Sequence, residues 1–405
     1  MQLYFDYSCP YAYLASFVAE RAARLRGEAL EWRPMLLGGV FRAVGTAQNL
    51  MGELAAAKAA HNLADMQRWA RLLDVPLTIP EGHPFRTVEA LRATLLTRCD
   101  PRVIQGFYRA YWQRGEPVSS EPVLTSVLRD AGYDPAGILA RLGSEEVKSE
   151  LRARTDEAIA RGVFGAPAFV IGAAGDEQLY WGVDRLQLIS GHDFATTYGV
   201  GAPSKYTARM PTLDLYWDFS SPFAYLGTTQ AEALAARTGA TLRWQPMLLG
   251  GLFRAIGQVD APILTWSEAK RDHSMRALLR WADFYGVPFR FPSKFPINSV
   301  KALRCWLALP EAARGAFREK TFRAYWAEGK DINDDAVLAD LIGEGASAVL
   351  ARTQEAEIKQ QLISATERAK ERGVFGAPTW IVDERELFWG QDRIPLVERA
   401  LLAAR

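Results

Sequence analysis

The sequence predicts an α/β protein made of two tandem copies of one domain, each carrying an all-helical insertion. Three observations predict it. Leu3-Tyr4-Phe5-Asp6-Tyr7-Ser8-Cys9-Pro10-Tyr11-Ala12 returns as Leu215-Tyr216-Trp217-Asp218-Phe219-Ser220-Ser221-Pro222-Phe223-Ala224, with the residue before the proline changed from cysteine to serine. Cys9 and Ser221, Met35 and Met247, Trp69 and Trp281, and Pro84 and Pro296 all stand 212 positions apart, so the copies are nearly gapless. Val163-Phe164-Gly165-Ala166-Pro167, followed by Trp181-Gly182-Val183-Asp184-Arg185, recurs as Val374-Phe375-Gly376-Ala377-Pro378 and Trp389-Gly390-Gln391-Asp392-Arg393. A period of about 200 residues is far longer than a solenoid repeat, so each copy is a self-sufficient domain.

The elements follow in order along the first copy. Residues 2–6 alternate as a strand, 11–26 carry helical spacing with several alanines, and Leu30, Trp32 and Pro34 mark a second strand. From about 50 to 145 the pattern is that of amphipathic helices, as in Met66, Trp69, Ala70, Leu72 and Leu73. Residues 145–161 form a further helix that stops at Gly162, a residue suited to a helix C-terminus. Ala168-Phe169-Val170-Ile171 and Gln178-Leu179-Tyr180-Trp181 form a hairpin, and Asp184 opens a closing helix. Gly199, Gly201, Pro203 and Pro211 interrupt the pattern between the copies, giving domains at 1–192 and 212–405 joined by a linker at 193–211.

At 405 residues and 49% hydrophobic content there is material for two cores of ordinary size. A net charge of +1 with no basic run argues against a nucleic-acid partner. A strand begins at once, leaving no room for a signal peptide, and no apolar stretch reaches membrane-spanning length. Cys9, Cys99 and Cys305 form no C-x-x-C, which predicts a reduced, cytoplasmic protein without a disulfide framework or a metal site.

Chemistry concentrates where the copies differ. A thiol at a helix N-terminus faces unpaired backbone N–H groups and the positive end of the helix dipole, so a thiolate at Cys9 is favoured and its pKa falls. A dithiol oxidoreductase needs a second cysteine three positions on, and those positions hold Ala12 and Ala224. Cys9 is then a reactive monothiol, a stand-in for the serine, or a small buried filler. Ser221 is either a plain N-cap or a hydroxyl that hydrogen-bonds a bound sulfur. Asp184 and Asp392 suit a helix N-cap as they stand.

The ordered set of [Cys/Ser]-Pro-aromatic at a helix start, helical insertion, Val-Phe-Gly-Ala-Pro and Trp-Gly-x-Asp-Arg resembles the thioredoxin-fold superfamily. Within it the chain resembles the 2-hydroxychromene-2-carboxylate isomerase and kappa-class glutathione transferase family, related to DsbA-type oxidoreductases, over nearly its whole length, twice. The resemblance implies two tandem thioredoxin-like domains and a glutathione-dependent isomerase or transferase acting on an aromatic or conjugated carbonyl substrate. It makes Ser221 the catalytic residue, with Cys9 as its counterpart. It implies cis bonds before Pro167 and Pro378, with the backbones of Ala166 and Ala377 pairing with glutathione. Val183 and Asp184, and Gln391 and Asp392, would receive the γ-glutamyl end.

Lys58 and Lys270 match a lysine that approaches glutathione in the family, and Asn298 keeps the family's Phe-Pro-x-Asn. Thr46 and Gln258 stand where the family has asparagine. His61 and His273 read as helix-surface or core histidines, and Trp266, Trp281, Phe284 and Phe291 as either substrate-pocket or core aromatics. A duplicated domain implies an intrachain pseudo-dimer, as a monomer or dimer of chains. The alternatives are a monothiol oxidoreductase centred on Cys9 and a non-catalytic scaffold.

Overall fold

The computed structural model describes residues 1–48, 50–173, 175–201, 210–259 and 262–403. Its contacts divide the chain into two units. Unit 1 comprises Met1–Leu54, Asn62–Ala202 and Ser267–His273; unit 2 comprises Ala55–His61, Pro203–Trp266 and Ser274–Arg405. Each unit is one repeat, except that it takes in a short segment of the other repeat's long insertion helix.

In unit 1, β1 (Gln2–Phe5) pairs in parallel with β2 (Glu31–Pro34) and antiparallel with β3 (Ala168–Ile171), and β4 (Gln178–Trp181) closes the edge. The order is β2-β1-β3-β4. β1 and β3 are almost wholly buried, because helices cover both faces of these central strands. Between β1 and β2 the expected helix over 11–26 is split into Pro10–Ala15 and Ala19–Leu25. Ser16 caps the first piece, and Gln105 Nε2 donates to both Ser16 O (3.1 Å) and Ser16 Oγ (3.0 Å), taking the carbonyl that a continuous helix would use.

The insertion is helical, at Ala56–Leu72, Val88–Leu96, Pro101–Trp112, Glu121–Asp130 and Pro135–Arg141. Glu145–Ala160 leads back to the sheet and ends before Gly162, whose φ of +77° suits glycine. The region expected as a linker opens with a helix, Phe194–Tyr198, capped by Asp193 and packed on Trp69, whose ring centroid lies 5.0 Å from that of Tyr198. Apolar residues there outweigh the glycines that suggested a linker, while 202–209 lie outside the described residues.

Unit 2 repeats the plan with β5 (Thr212–Trp217), β6 (Thr241–Pro246), β7 (Thr379–Val382) and β8 (Glu386–Trp389) in the order β6-β5-β7-β8. Here the helix after the turn is continuous over Pro222–Thr238. Gly227 lets it approach the sheet, since a Cβ there would sit 3.0 Å from Pro378 Cγ and 3.3 Å from the Trp380 ring. Trp217, Phe219, Trp306 and Phe322 meet edge-on or tilted in the core of this unit. Buried side chains of this size contribute about 1.5–3 kcal/mol each.

Candidate functional site

In unit 2, β5 delivers the chain into the turn Asp218–Ser221, and Pro222 begins the helix. Proline suits that first helical position, where its missing N–H leaves no gap in the ladder. Ser221 is extended (φ −101°, ψ 119°) and 4% exposed. Its Oγ accepts the Ala224 N–H (3.1 Å) and donates to the carbonyl of Ala377 (3.0 Å), the residue before the cis proline Pro378. Both Ala166-Pro167 and Ala377-Pro378 are cis, as are His83-Pro84 and Phe295-Pro296.

The turn is clamped from beneath. Asp218 is fully buried and accepts from Ser220 N (2.9 Å), Leu249 N (2.6 Å) and the Ser299 hydroxyl, and the Trp326 indole N–H donates to Phe219 O (2.8 Å). Burial raises the Asp218 carboxyl above its ordinary value, opposed by these hydrogen bonds. Asp6 does the same in unit 1, accepting from Ser8 N (3.0 Å) and Leu37 N (2.8 Å), and the Trp112 indole N–H donates to Tyr7 O (2.8 Å). The repeated aspartate was the sequence signal for this clamp, and its value was hidden because Leu249, Ser299 and Trp326 lie far from the turn in sequence.

Cys9 occupies the same place with different chemistry. Its backbone is alike (φ −97°, ψ 116°), and its Sγ donates to Ala166 O (3.0 Å). The thiol makes no side-chain cap. At 8% exposure, burial pushes it up to about 12, outweighing the N–H groups of Ala12 and Tyr11 that favour the thiolate. The expectation of an activated thiol is therefore corrected: desolvation wins over the helix N-terminus.

The remaining candidates distribute as follows. Val183 and Gln391 are buried and follow Gly182 and Gly390, which take φ values of +111° and +107°. Their carbonyls accept from different tyrosines, Tyr198 for Val183 (2.7 Å) and Tyr285 for Gln391 (2.8 Å). Asp184 and Asp392 are not N-caps, a position held by Gly182 and Gly390. Each folds back over its glycine and pairs with the following arginine, at 2.9 Å for Arg185 and 3.4 Å for Arg393. Asn298 is exposed, and its Oδ1 accepts the Val300 N–H at the start of a helix.

Lys270 lies in unit 1, its Nζ 5.9 Å from the Trp181 ring centroid, and Lys58 lies in unit 2, 5.3 Å from that of Trp389. Burial lowers the Lys58 pKa. The two lysines are thus placed with the sheets of the opposite repeats. His61 and His273 are buried, as core histidines are. The glycine of Val-Phe-Gly-Ala-Pro is required by the tryptophan after the hairpin, since a Cβ on Gly376 would stand 2.5 Å from Trp389 Nε1.

The aromatic candidates form separate groups: Trp281 stacks on Tyr285 (5.3 Å), while Phe291 packs on Phe295 (5.0 Å). A cavity of about 520 Å³ lies between the helices of Tyr225 and Phe322, and none of the candidate residues lines it. Among the described residues no helix is long and apolar enough to cross a membrane.

The DSBA-like thioredoxin domain family matches residues 1–192 and again 212–402. A 2-hydroxychromene-2-carboxylate isomerase of Pseudomonas putida is 31% identical over 192 residues, covering 47% of this chain and 93% of the relative. Its namesake from Sphingobium xenophagum is 33% identical over 194 residues, 47% and 98% respectively. Glutathione S-transferase kappa 1 of Rattus norvegicus is 28% identical over 203 residues, covering 47% of this chain and 88% of the relative. Among solved structures, a 2-hydroxychromene-2-carboxylate isomerase aligns at 31% identity and a TM-score of 0.42, over 47% of this chain and 94% of its own.

Proposed function

Because the chain belongs to the DSBA-like thioredoxin domain family, as a tandem duplication of the 2-hydroxychromene-2-carboxylate isomerase and kappa-class glutathione transferase type, we propose that it is a glutathione-dependent isomerase or transferase. Its substrate is an aromatic or conjugated carbonyl compound, and Ser221 is its catalytic residue.

The observation that carries this reading is the double hydrogen bond of Ser221, which accepts from Ala224 N and donates to Ala377 O. The groups present suit a peptide thiol: a hydroxyl donor at a helix N-terminus, a backbone carbonyl acceptor beside it, and a lysine over Trp389 in the same unit. Glutathione, when bound, supplies the thiolate nucleophile. Ser221 holds the proton that Ala377 O accepts in the free protein. Redirected toward a sulfur at the helix start, that hydrogen bond favours the ionised thiol, and the first-turn N–H groups add to it. Ala377 O, once released, is a backbone acceptor for an amide N–H of the ligand. Burial of the turn keeps water from competing for either bond. Cys9 lacks the cap and has its thiol pushed up to about 12, which weighs against a monothiol oxidoreductase.

Calorimetric titration of wild type and Ser221→Ala with glutathione, with the ultraviolet thiolate absorbance followed against pH, tests this. Wild type should bind at millimolar glutathione or below and ionise the bound thiol at neutral pH, and Ser221→Ala should push that ionisation to higher pH. Absence of binding at millimolar glutathione would overturn the reading in favour of a scaffold.

A further inference from the structure

We propose that a first-repeat residue positions part of the Ser221 site: His61 holds the Trp389–Asp392 segment through the backbone of Trp389. His61 is 7% exposed, and its Nε2 accepts the backbone N–H of Trp389 at 3.1 Å, across 328 residues of sequence. Trp389 ends β8, the edge strand of its sheet, so this N–H has no neighbouring strand to receive it. The imidazole also meets the rings of Phe375 at 5.4 Å and Trp389 at 6.3 Å, and so touches both segments that flank Pro378. Lys58 shares a helix face with His61 and lies over the same indole, 5.3 Å from its centroid.

The ring and cation contacts occur twice, which argues for a built feature. In unit 1, His273 meets Phe164 at 5.3 Å, and Lys270 stands 5.9 Å over Trp181. His61 is a positioning residue, acting through the Trp389 backbone on the Gln391-Asp392 turn.

The effect on ligand rests on the glutathione reading; the effect on the Trp389 backbone does not. In the full chain, free of ligand, His61→Ala should speed amide exchange at Trp389 about tenfold, as loss of one part-buried hydrogen bond allows. His61→Gln, which keeps an acceptor, should restore most of the protection, and His273→Ala should leave Trp389 unchanged. With glutathione, His61→Ala should raise KM for glutathione several-fold with kcat within about twofold, while retaining the pH profile set by Ser221. Unchanged Trp389 exchange in His61→Ala, or equal effects from His273→Ala, would overturn the proposal. Should His61→Ala not fold, His61→Phe, which fills the space without an acceptor, decides it, and unchanged Trp389 exchange in that variant would overturn it. A wild type that does not bind glutathione refutes the proposed function, while the exchange data still judge the positioning of Trp389.

Discussion

Cys9 should be among the least reactive thiols of the molecule, although it sits where thioredoxin folds place their nucleophile. Its thiol is pushed up to about 12, against an ordinary value of 9.0. At pH 8 an ordinary thiol is about one-tenth thiolate, and Cys9 about one part in 10,000, a difference of about 1,000-fold in the species that reacts. Its 8% exposure and its hydrogen bond to Ala166 O slow the reaction further. Cys99, pushed up to about 11 and part-exposed, provides an internal reference expected to alkylate about tenfold faster from ionisation alone, and Cys305, at about 12, should match Cys9. The assay is timed iodoacetamide labelling of the native protein at pH 8, with each cysteine followed by peptide mass spectrometry and free cysteine as standard. Cys9 labelling faster than Cys99, or at the rate of the free amino acid, would show that the helix N-terminus outweighs burial and would refute this reasoning.

Other substitutions probe the opposite unit. Trp326→Phe leaves Phe219 O without its indole donor in a buried turn and should lower stability by about 1–3 kcal/mol in urea unfolding, with a wild-type transition the contrary result. Ser221→Ala should cost about 1 kcal/mol more than Cys9→Ala by the same measurement, because both changes leave the carbonyl before the cis proline without its donor but only Ser221 also caps the helix. Asp218 has a folded pKa raised above 3.8, so its proton is held more tightly in the folded state. Its contribution is fully present below that value and is lost as pH rises through the folded pKa. Asp218→Asn should therefore remove a stability loss on raising the pH from about 3.8, seen as a flatter difference curve against wild type; parallel curves would exclude it.

How much was legible depended on the range of the interaction. The strand, the X-Pro helix start, the hairpin and the insertion are written in local periodicity and turn chemistry, and Glu145–Ala160 and Ala168–Ile171 appear where the pattern placed them. The helix break after Ala15 was not legible, because the Gln105 side chain that takes up the Ser16 carbonyl comes from another helix. Nor was the packing of Phe194–Tyr198 on Trp69, since glycines nearby masked a short apolar helix. Asp6 and Asp218 could be seen to repeat, but their partners Leu37 and Leu249 are assigned only by the turn's approach to the next helix.

By itself the sequence determined the duplicated α/β plan and the residues standing at the helix start, before each proline and after each hairpin, because those features follow from neighbours a few positions apart. The tertiary structure alone decided what they do. A thiol and a hydroxyl with the same backbone differ because Ser221 keeps its cap and Cys9 loses more to desolvation than the helix returns. Lys58 and His61 join Trp389, about 330 residues on, and that pairing is set by ring packing and one edge-strand N–H, which no local pattern encodes.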